Sequence, residues 1–255
     1  MHHLLIIDAM NLIRRVYAVA EKSQASMEAT ESRCLSIITR NASESGATHL
    51  VVVFEEQVAT WRHDLWPDYK KGRPPMPETL AQGLPVLRDH LMRQGIACVA
   101  VVPWEADDVI ASLGTRAARA GVKVTVMSTD KGFCQLVSKH LSVYSHFDRR
   151  LYDLEGVKGY YGLAPECLTD FWALTGDTTN HLPGVPGIGP KTAGQLLDEF
   201  RNLDGMLVQL ESLPERWRKS LESHWKDALL TRLLATLRTD VPLGVNLHDL
   251  RWNGS

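Results

Sequence analysis

Cysteine is scarce in this 255-residue sequence. The four cysteines, Cys34, Cys98, Cys134 and Cys167, are scattered and include no C-x-x-C pair. That excludes a disulfide-stapled scaffold and a cysteine-built zinc site, and leaves small core hydrophobes in a reducing compartment. Long apolar runs are missing too. The opening "HHLLIIDAM" is too short for a secretory leader and is interrupted by Asp8. No window reaches the length that a membrane span requires, so a cytoplasmic protein without a membrane partner is expected. Glycine (18) and proline (12) are not in excess, which excludes a fibrous or disordered chain. Charge of one sign is not in excess either. A formal net charge of −2 gives no whole-molecule field that would draw a polyanion, and only a local basic surface could do so.

What is present is a 44% hydrophobic chain, enough for one large core or two modest ones. Runs rich in β-branched residues recur in the first half: "LLIID" (4–8), "LVVVF" (50–54), "IACVAVV" (96–102), "VKVTVMS" (122–128) and "LSVYS" (141–145). Their continuous apolar character predicts strands buried on both faces. Helical periodicity fills the gaps, in "NLIRRVYAVAEK", "CLSIITRNA", "VLRDHLMRQG" and "DDVIASLGTRAARAG", with Gly95 and Gly121 as stops. Strand alternating with helix predicts an α/β fold with a mostly parallel central sheet flanked by helices. After residue 160 only helical patterns remain. The expected organisation is an α/β core over 1–160, then a helical part over 161–255.

In an open parallel sheet the ligand site lies beyond the carboxyl ends of the strands. Those ends here carry Asp8, Glu55 with Glu56, then Glu105, Asp107 and Asp108 in "PWEADD", and Asp130 in "STDKG". Any one of them could simply cap a helix. Four ends aimed at one region would repel each other unless a cation were shared, and oxygen-only donors suit Mg²⁺ or Mn²⁺. A Mg²⁺ site fits phosphoryl chemistry. The segment "WRHDLWPDYKKGRPPMP" then offers Lys70 and Arg73 to meet a phosphate, although a solvated basic helix face would look the same.

The stretch "GDTTNHLPGVPGIGPKTAG" (176–194) has the wrong glycine spacing for a nucleotide P-loop, and no strand precedes it. It reads as helix, tight loop, helix. Glycine-freed N–H groups at "GIG" open the helix "PKTAGQLL", where a phosphate is favoured. Gly187, Ile188, Gly189, Pro190, Lys191 and Thr192 are the expected contacts. Such a grip follows backbone and not base sequence.

In order, "LLIIDAMNLIRR", "WRHDLWPDYKKGRPPMP", "EADDVIASL", "STDKGFCQLV" and "DFWALTGDTTNHLPGVPGIGPKTA" resemble the 5′-nuclease (flap endonuclease) family. That family includes the N-terminal nuclease of bacterial DNA polymerase I, and the chain is most similar to a stand-alone paralogue of it. The resemblance implies a PIN-like nuclease core with a helix–three-turn–helix subdomain. It places Asp8, Glu55, Glu105, Asp107, Asp108, Asp130 and Asp177 on the family's metal-site acids. Lys70 and Arg73 fall on the basic residues of a helical arch over about 61–80, under which a free 5′ strand passes. It also implies a K⁺ held by backbone oxygens at Leu174, Thr175, Pro183, Val185 and Ile188, beside the DNA.

Three positions depart from the family pattern. Gly132 and Asn180 stand where acids are usual, and Glu55 stands where Asp is usual. One firmly held Mg²⁺, in direct contact with Asp107, and a second, weaker, water-bound ion are therefore expected. The implied function is a Mg²⁺-dependent nuclease acting as a monomer near 5′-flap junctions of branched DNA, in replication and repair. Two alternatives are a branched-DNA-binding protein whose nuclease site has decayed and a small RNA nuclease of the PIN type. The latter leaves the glycine-rich stretch without a purpose.

Overall fold

Six strands lie among the described residues, most of them from short runs rich in leucine, isoleucine and valine: β1 (His3–Asp8), β2 (His49–Val53), β3 (Ala97–Val99), β4 (Lys123–Met127), β5 (Leu141–Ser145) and β6 (Arg150–Tyr152). The computed structural model describes residues 2–23, 27–56 and 59–254. The strands form one sheet in the order β3-β2-β1-β4-β5-β6, with β1 to β5 parallel and β6 antiparallel to β5.

Helices cover both faces, and alternation along β1 assigns the faces. Leu4 and Ile6 point into one core, Leu5 and Ile7 into the other. The second core holds residues of α1 (Ala9–Lys22), α2 (Met27–Ser45) and α4 (Glu78–Arg93); α3 (Trp61–Leu65) is a short turn of helix between β2 and α4. The first core holds α5 (Ala106–Arg119) and runs without a break into the helical part. That part comprises α6 (Leu154–Tyr161), α7 (Leu168–Thr175), α8 (Pro190–Phe200), α9 (Leu203–Val208) and α10 (Glu215–Ala235), with α7 packed on α8 and α10. No described helix is long and apolar enough to cross a membrane.

Differences from the expected elements are local. β3 stops at Val99, because the chain then turns through a bond from Trp104 N to Val101 O. β6 was not expected: it has three residues, and Arg150 and Leu151 are exposed. Gly95 and Gly121 do follow their helices in the left-handed region, with φ of 74° and 79°, where a side chain would be strained. Pro214 is the N-cap of α10. The C-terminal residues return to the sheet, where Arg251 bridges His49 and Trp252 N donates to Thr48 O.

Candidate active site and metal centre

Because β1, β2, β3 and β4 are neighbours running in one direction, their carboxyl ends bring acids from four distant segments to one edge of the sheet. β1 ends in Asp8. Glu55 lies two residues past β2. Glu105 is the N-cap of α5 and Asp107 lies in its first turn. Asp130 follows β4. Two of these acids also cap: Asp8 accepts from Asn11 N at 3.1 Å, and Asp130 accepts from Gly132 N at 2.7 Å. Capping uses one oxygen of each and leaves lone pairs free.

The electrostatics show an excess of negative charge. Burial pushes Asp8 up to about 6, against bonds from Asn11 and Ser128, and the Asp130 and Glu55 carboxylates push it further. Asp107 is raised well above the usual carboxylate range, first by burial and then by Asp130, Asp8 and Glu105, with Lys70 opposing. Burial raises Glu55 as well, although Lys70, Arg73 and Arg14 draw it down. Glu105 behaves differently. It is 1% exposed, yet Lys70 and Arg62 outweigh the burial and hold it below its ordinary value.

Glu105 is also the most fully bonded of these acids. Oε1 accepts from Thr60 Oγ1 at 2.9 Å, and Oε2 accepts from Lys70 Nζ at 3.0 Å and from Tyr69 OH at 3.2 Å. Thr60 and Ser128 (which donates to Asp8 Oδ2 at 2.9 Å) were not singled out from sequence. Single hydroxyls carry no spacing signal. Tyr69 was visible only as an aromatic within the basic segment.

Asp108 departs from the expected ligand set. It is 0% exposed, and Arg62 binds it in bidentate fashion, NH1 to Oδ2 at 2.7 Å and NH2 to Oδ1 at 2.8 Å. Trp61 Nε1 and Arg238 N also donate to it, at 3.1 and 2.9 Å. With four donors on its two oxygens, Asp108 is a structural acid that holds α3 and the end of α10 to α5. Adjacent helical residues point about 100° apart, so Asp107 and Asp108 cannot face the same way. Arg62 is correspondingly no solvated arch cation. It is 1% exposed and also donates from Nε to Leu234 O at 2.8 Å.

Asp177 is engaged by its own loop: Oδ1 accepts from Thr179 N at 2.9 Å, and Oδ2 from Asn180 Nδ2 at 2.6 Å. The loop meets the acid cluster through Asn180. Lys70 N donates to Asn180 O at 3.3 Å, and Arg73 donates to Asn180 Oδ1 at 2.6 Å. The amide thus occupies Arg73 and turns its NH₂ toward Asp177. Gly132 offers no side chain, and a Cβ there would stand 3.1 Å from Asp130 Oδ1.

The helix–loop–helix between α7 and α8 is tightly closed. Asp177 and Leu182 exchange backbone bonds, and Val185 N donates to Leu174 O at 2.8 Å. Gly176 (φ 76°) and Gly184 pack backbone to backbone, and a Cβ on Gly184 would fall 2.5 Å from the carbonyl carbon of Thr175. Pro183 O accepts from Thr231 Oγ1 at 2.6 Å and Val185 O from Ile188 N at 3.0 Å. Carbonyls so engaged keep a second lone pair. Gly187 takes φ 81°, Gly189 is the N-cap of α8, and Pro190 opens it. No side chain caps α8, so its first N–H groups are left to a ligand or solvent.

The donor set suits a hard divalent cation: carboxylates only, partly buried, and raised by mutual repulsion. Among the described residues no three His, Cys, Asp or Glu side chains are gathered tightly enough to enclose an ion by themselves.

Comparison with known proteins agrees along the whole chain. Residues 3–162 match the family model of the 5′-3′ exonuclease N-terminal resolvase-like domain, and residues 163–255 that of the 5′-3′ exonuclease C-terminal SAM fold. A protein named Flap endonuclease Xni from Cronobacter sakazakii is 43% identical over 254 residues, covering 99% of each chain. Among solved structures, a phage T5 protein co-crystallised with metal ions has a TM-score of 0.81 at 22% identity, covering 92% of this chain and 89% of its own. A phage T5 flap endonuclease in a pseudo-enzyme–product complex with DNA and metal ions has a TM-score of 0.77 at 23% identity, covering 92% and 89%.

Proposed function

Because this chain belongs to the 5′-3′ exonuclease family, we propose that it is a Mg²⁺-dependent, structure-specific 5′ nuclease that hydrolyses DNA phosphodiester bonds near 5′-flap junctions. The observation that carries the reading is the cluster of Asp8, Glu55, Glu105, Asp107 and Asp130, over-charged as it stands and entered by the single ammonium of Lys70. The Xni relative supports flap DNA as substrate, and the T5 structure with metal ions supports a bound metal.

Asp8, Glu105, Asp107 and Asp130 would hold the ion, with Asp107, which is partly exposed, as its direct contact. A bound Mg²⁺ supplies a water of lowered pKa and neutralises charge on the phosphodiester. The protein supplies the frame. Thr60, Tyr69 and Lys70 fix Glu105, while Asn11 and Ser128 fix Asp8. Lys70 lies close to Asp107 and Glu55 as well, and these acids hold it firmly protonated in spite of its burial. It is placed to meet a phosphate oxygen, and Arg73 does the same once released from Asn180. No side-chain nucleophile is required. A second ion is weaker, because Asp177 is engaged by its own loop and Gly132 and Asn180 bring no charge.

The loop from Gly187 to Thr192 and the uncapped start of α8 grip the DNA backbone, with Lys191 adding charge. The backbone oxygens of Leu174, Thr175, Pro183, Val185 and Ile188 would hold a K⁺ that neutralises charge beside the DNA backbone. The close approach of Gly184 to the Thr175 carbonyl supports this for one of the five oxygens.

The test is a labelled 5′-flap duplex incubated with Mg²⁺. A short 5′ product is expected from the wild type and none from Asp107→Ala, with flap binding retained by both. If the wild type binds the flap and leaves it intact at every Mg²⁺ concentration, the protein is a branched-DNA binder with a decayed site.

A further inference from the structure

On the flank opposite the Lys70 segment, the edge of the sheet presents two cations over one pair of aromatic rings. Lys131, the residue after Asp130, holds its ammonium 4.7 Å from the centroid of Tyr152 and 5.9 Å from that of Tyr160. The Arg150 guanidinium stands 5.1 and 5.0 Å from the same two centroids. Both rings are fixed from below. Tyr152 is buried and meets Tyr160 edge to face at 5.7 Å, and Tyr160 meets Tyr161 at 4.8 Å, which in turn packs on Phe171. Tyr160 is 49% exposed at the top of this stack. Neither cation makes an ion pair among the described residues.

Two like charges brought together over shared rings, without a carboxylate, are relieved by an anion. A half-exposed ring braced by other rings is a surface on which a nucleobase stacks. The two features share one place, and Lys131 ties that place to the metal-site acid Asp130. We propose that Lys131, Arg150 and Tyr160 form a second DNA contact, which takes an unpaired nucleotide beside the cut junction. The base lies on Tyr160, and its phosphate lies between Arg150 and Lys131. The inference rests on the flap-nuclease reading. It adds a contact for unpaired DNA on the side of the cluster away from Lys70 and Arg73. A protein partner would also suit exposed rings, but it would not require two unpaired cations next to a site for phosphate chemistry.

The test uses the full-length protein and flap DNA carrying 2-aminopurine at the unpaired nucleotide next to the junction, with Ca²⁺ in place of Mg²⁺. Binding is followed by anisotropy and stacking by fluorescence quenching. Wild type is expected to quench the probe. Tyr160→Ala should lose the quenching and bind the flap about 5- to 150-fold more weakly, the range for losing one stacked base. Tyr160→Phe should restore both. Lys131→Ala and Arg150→Ala should each flatten the salt dependence of flap binding by about one unit of slope. Binding to a blunt duplex should stay at the wild-type level in all four variants, which also shows that they are folded. The proposal is overturned if Tyr160→Ala quenches and binds as wild type does, as it would if the patch served a protein. It is equally overturned if flap and duplex binding fall together. Wild-type cleavage of the same flap in Mg²⁺ is run alongside: if cleavage fails while quenching holds, the nuclease reading is lost and this contact stands.

Discussion

The pair formed by Arg62 and Asp108 decides whether Asp108 serves the metal or the fold. Replacing Arg62 by Met keeps most of the volume and removes the guanidinium. Asp108, 0% exposed, then keeps only Trp61 Nε1 and Arg238 N as donors, and Leu234 O loses its partner. Removing one member of a buried ion pair costs about 3–5 kcal/mol, because a charge is left buried and uncompensated. At about 2–4 °C per kcal/mol for a chain of this size, Tm should fall by roughly 6–20 °C. Asp108→Asn removes the charge and keeps an acceptor for one of the two remaining donors, Trp61 Nε1 or Arg238 N, which bond to different oxygens of the carboxylate. The double variant should therefore recover a good part of the loss, with a coupling of about 2 kcal/mol or more in urea melts. Calorimetric Mg²⁺ titration of Asp108→Asn should match wild type. Additive effects on stability, together with a tenfold or greater loss of Mg²⁺ affinity in Asp108→Asn, would refute the reasoning and return Asp108 to the metal ligands.

Two other sites give independent checks. His146 follows β5 with neither ring nitrogen bonded among the described residues, and burial, with Arg15 and Arg40 nearby, lowers it to about 4. The unfolded chain takes up that proton near the ordinary value of about 6.5 while the folded chain does not, so the group reduces stability as pH falls from about 6.5 to 4. His146→Phe should accordingly melt higher than wild type at pH 5 and lose most of that advantage at pH 8; an equal difference at both pH values would discard the assignment. Gly184→Ala forces a Cβ to within 2.5 Å of Thr175 backbone. It should destabilise the protein by about 1–3 kcal/mol and weaken duplex DNA binding in K⁺ buffers, whereas wild-type melting and affinity would show that the loop is slack.

Four of the six strands were legible to within a residue or two, because strands buried on both faces cannot hide their apolar runs. β6 was not legible. A three-residue edge strand with two exposed residues has no pattern to show. The acids at the strand ends were also readable, since parallel topology alone brings Asp8, Glu55, Glu105 and Asp130 together. The separation of Asp107 from Asp108 was not. "EADD" gives no sign of which carboxylate faces the cleft until α5 is oriented by what packs behind it. Arg62 was illegible for the same reason, because its partners lie at Asp108 and, 172 positions along the chain, at Leu234. Asn180 illustrates the middle case. Its lack of charge was plain from sequence, but its use as the link between Arg73 and Asp177 needed coordinates.

The reach of Arg62 has a consequence for biogenesis. Its guanidinium ends on Asp108 and on the carbonyl of Leu234, in the last turn of α10. During synthesis the sheet and α5 are complete long before residue 234 leaves the ribosome. Until then the segment carrying Lys70 and Tyr69 lacks its anchor to α10, and Glu105 lacks a fully seated neighbour. The acid-bearing edge is therefore completed last, by the helix that also bonds, through Thr231, to the loop between α7 and α8. A chain that ends before α10 would lack both the anchor for the Lys70 segment and part of the core that continues from the sheet into that helix.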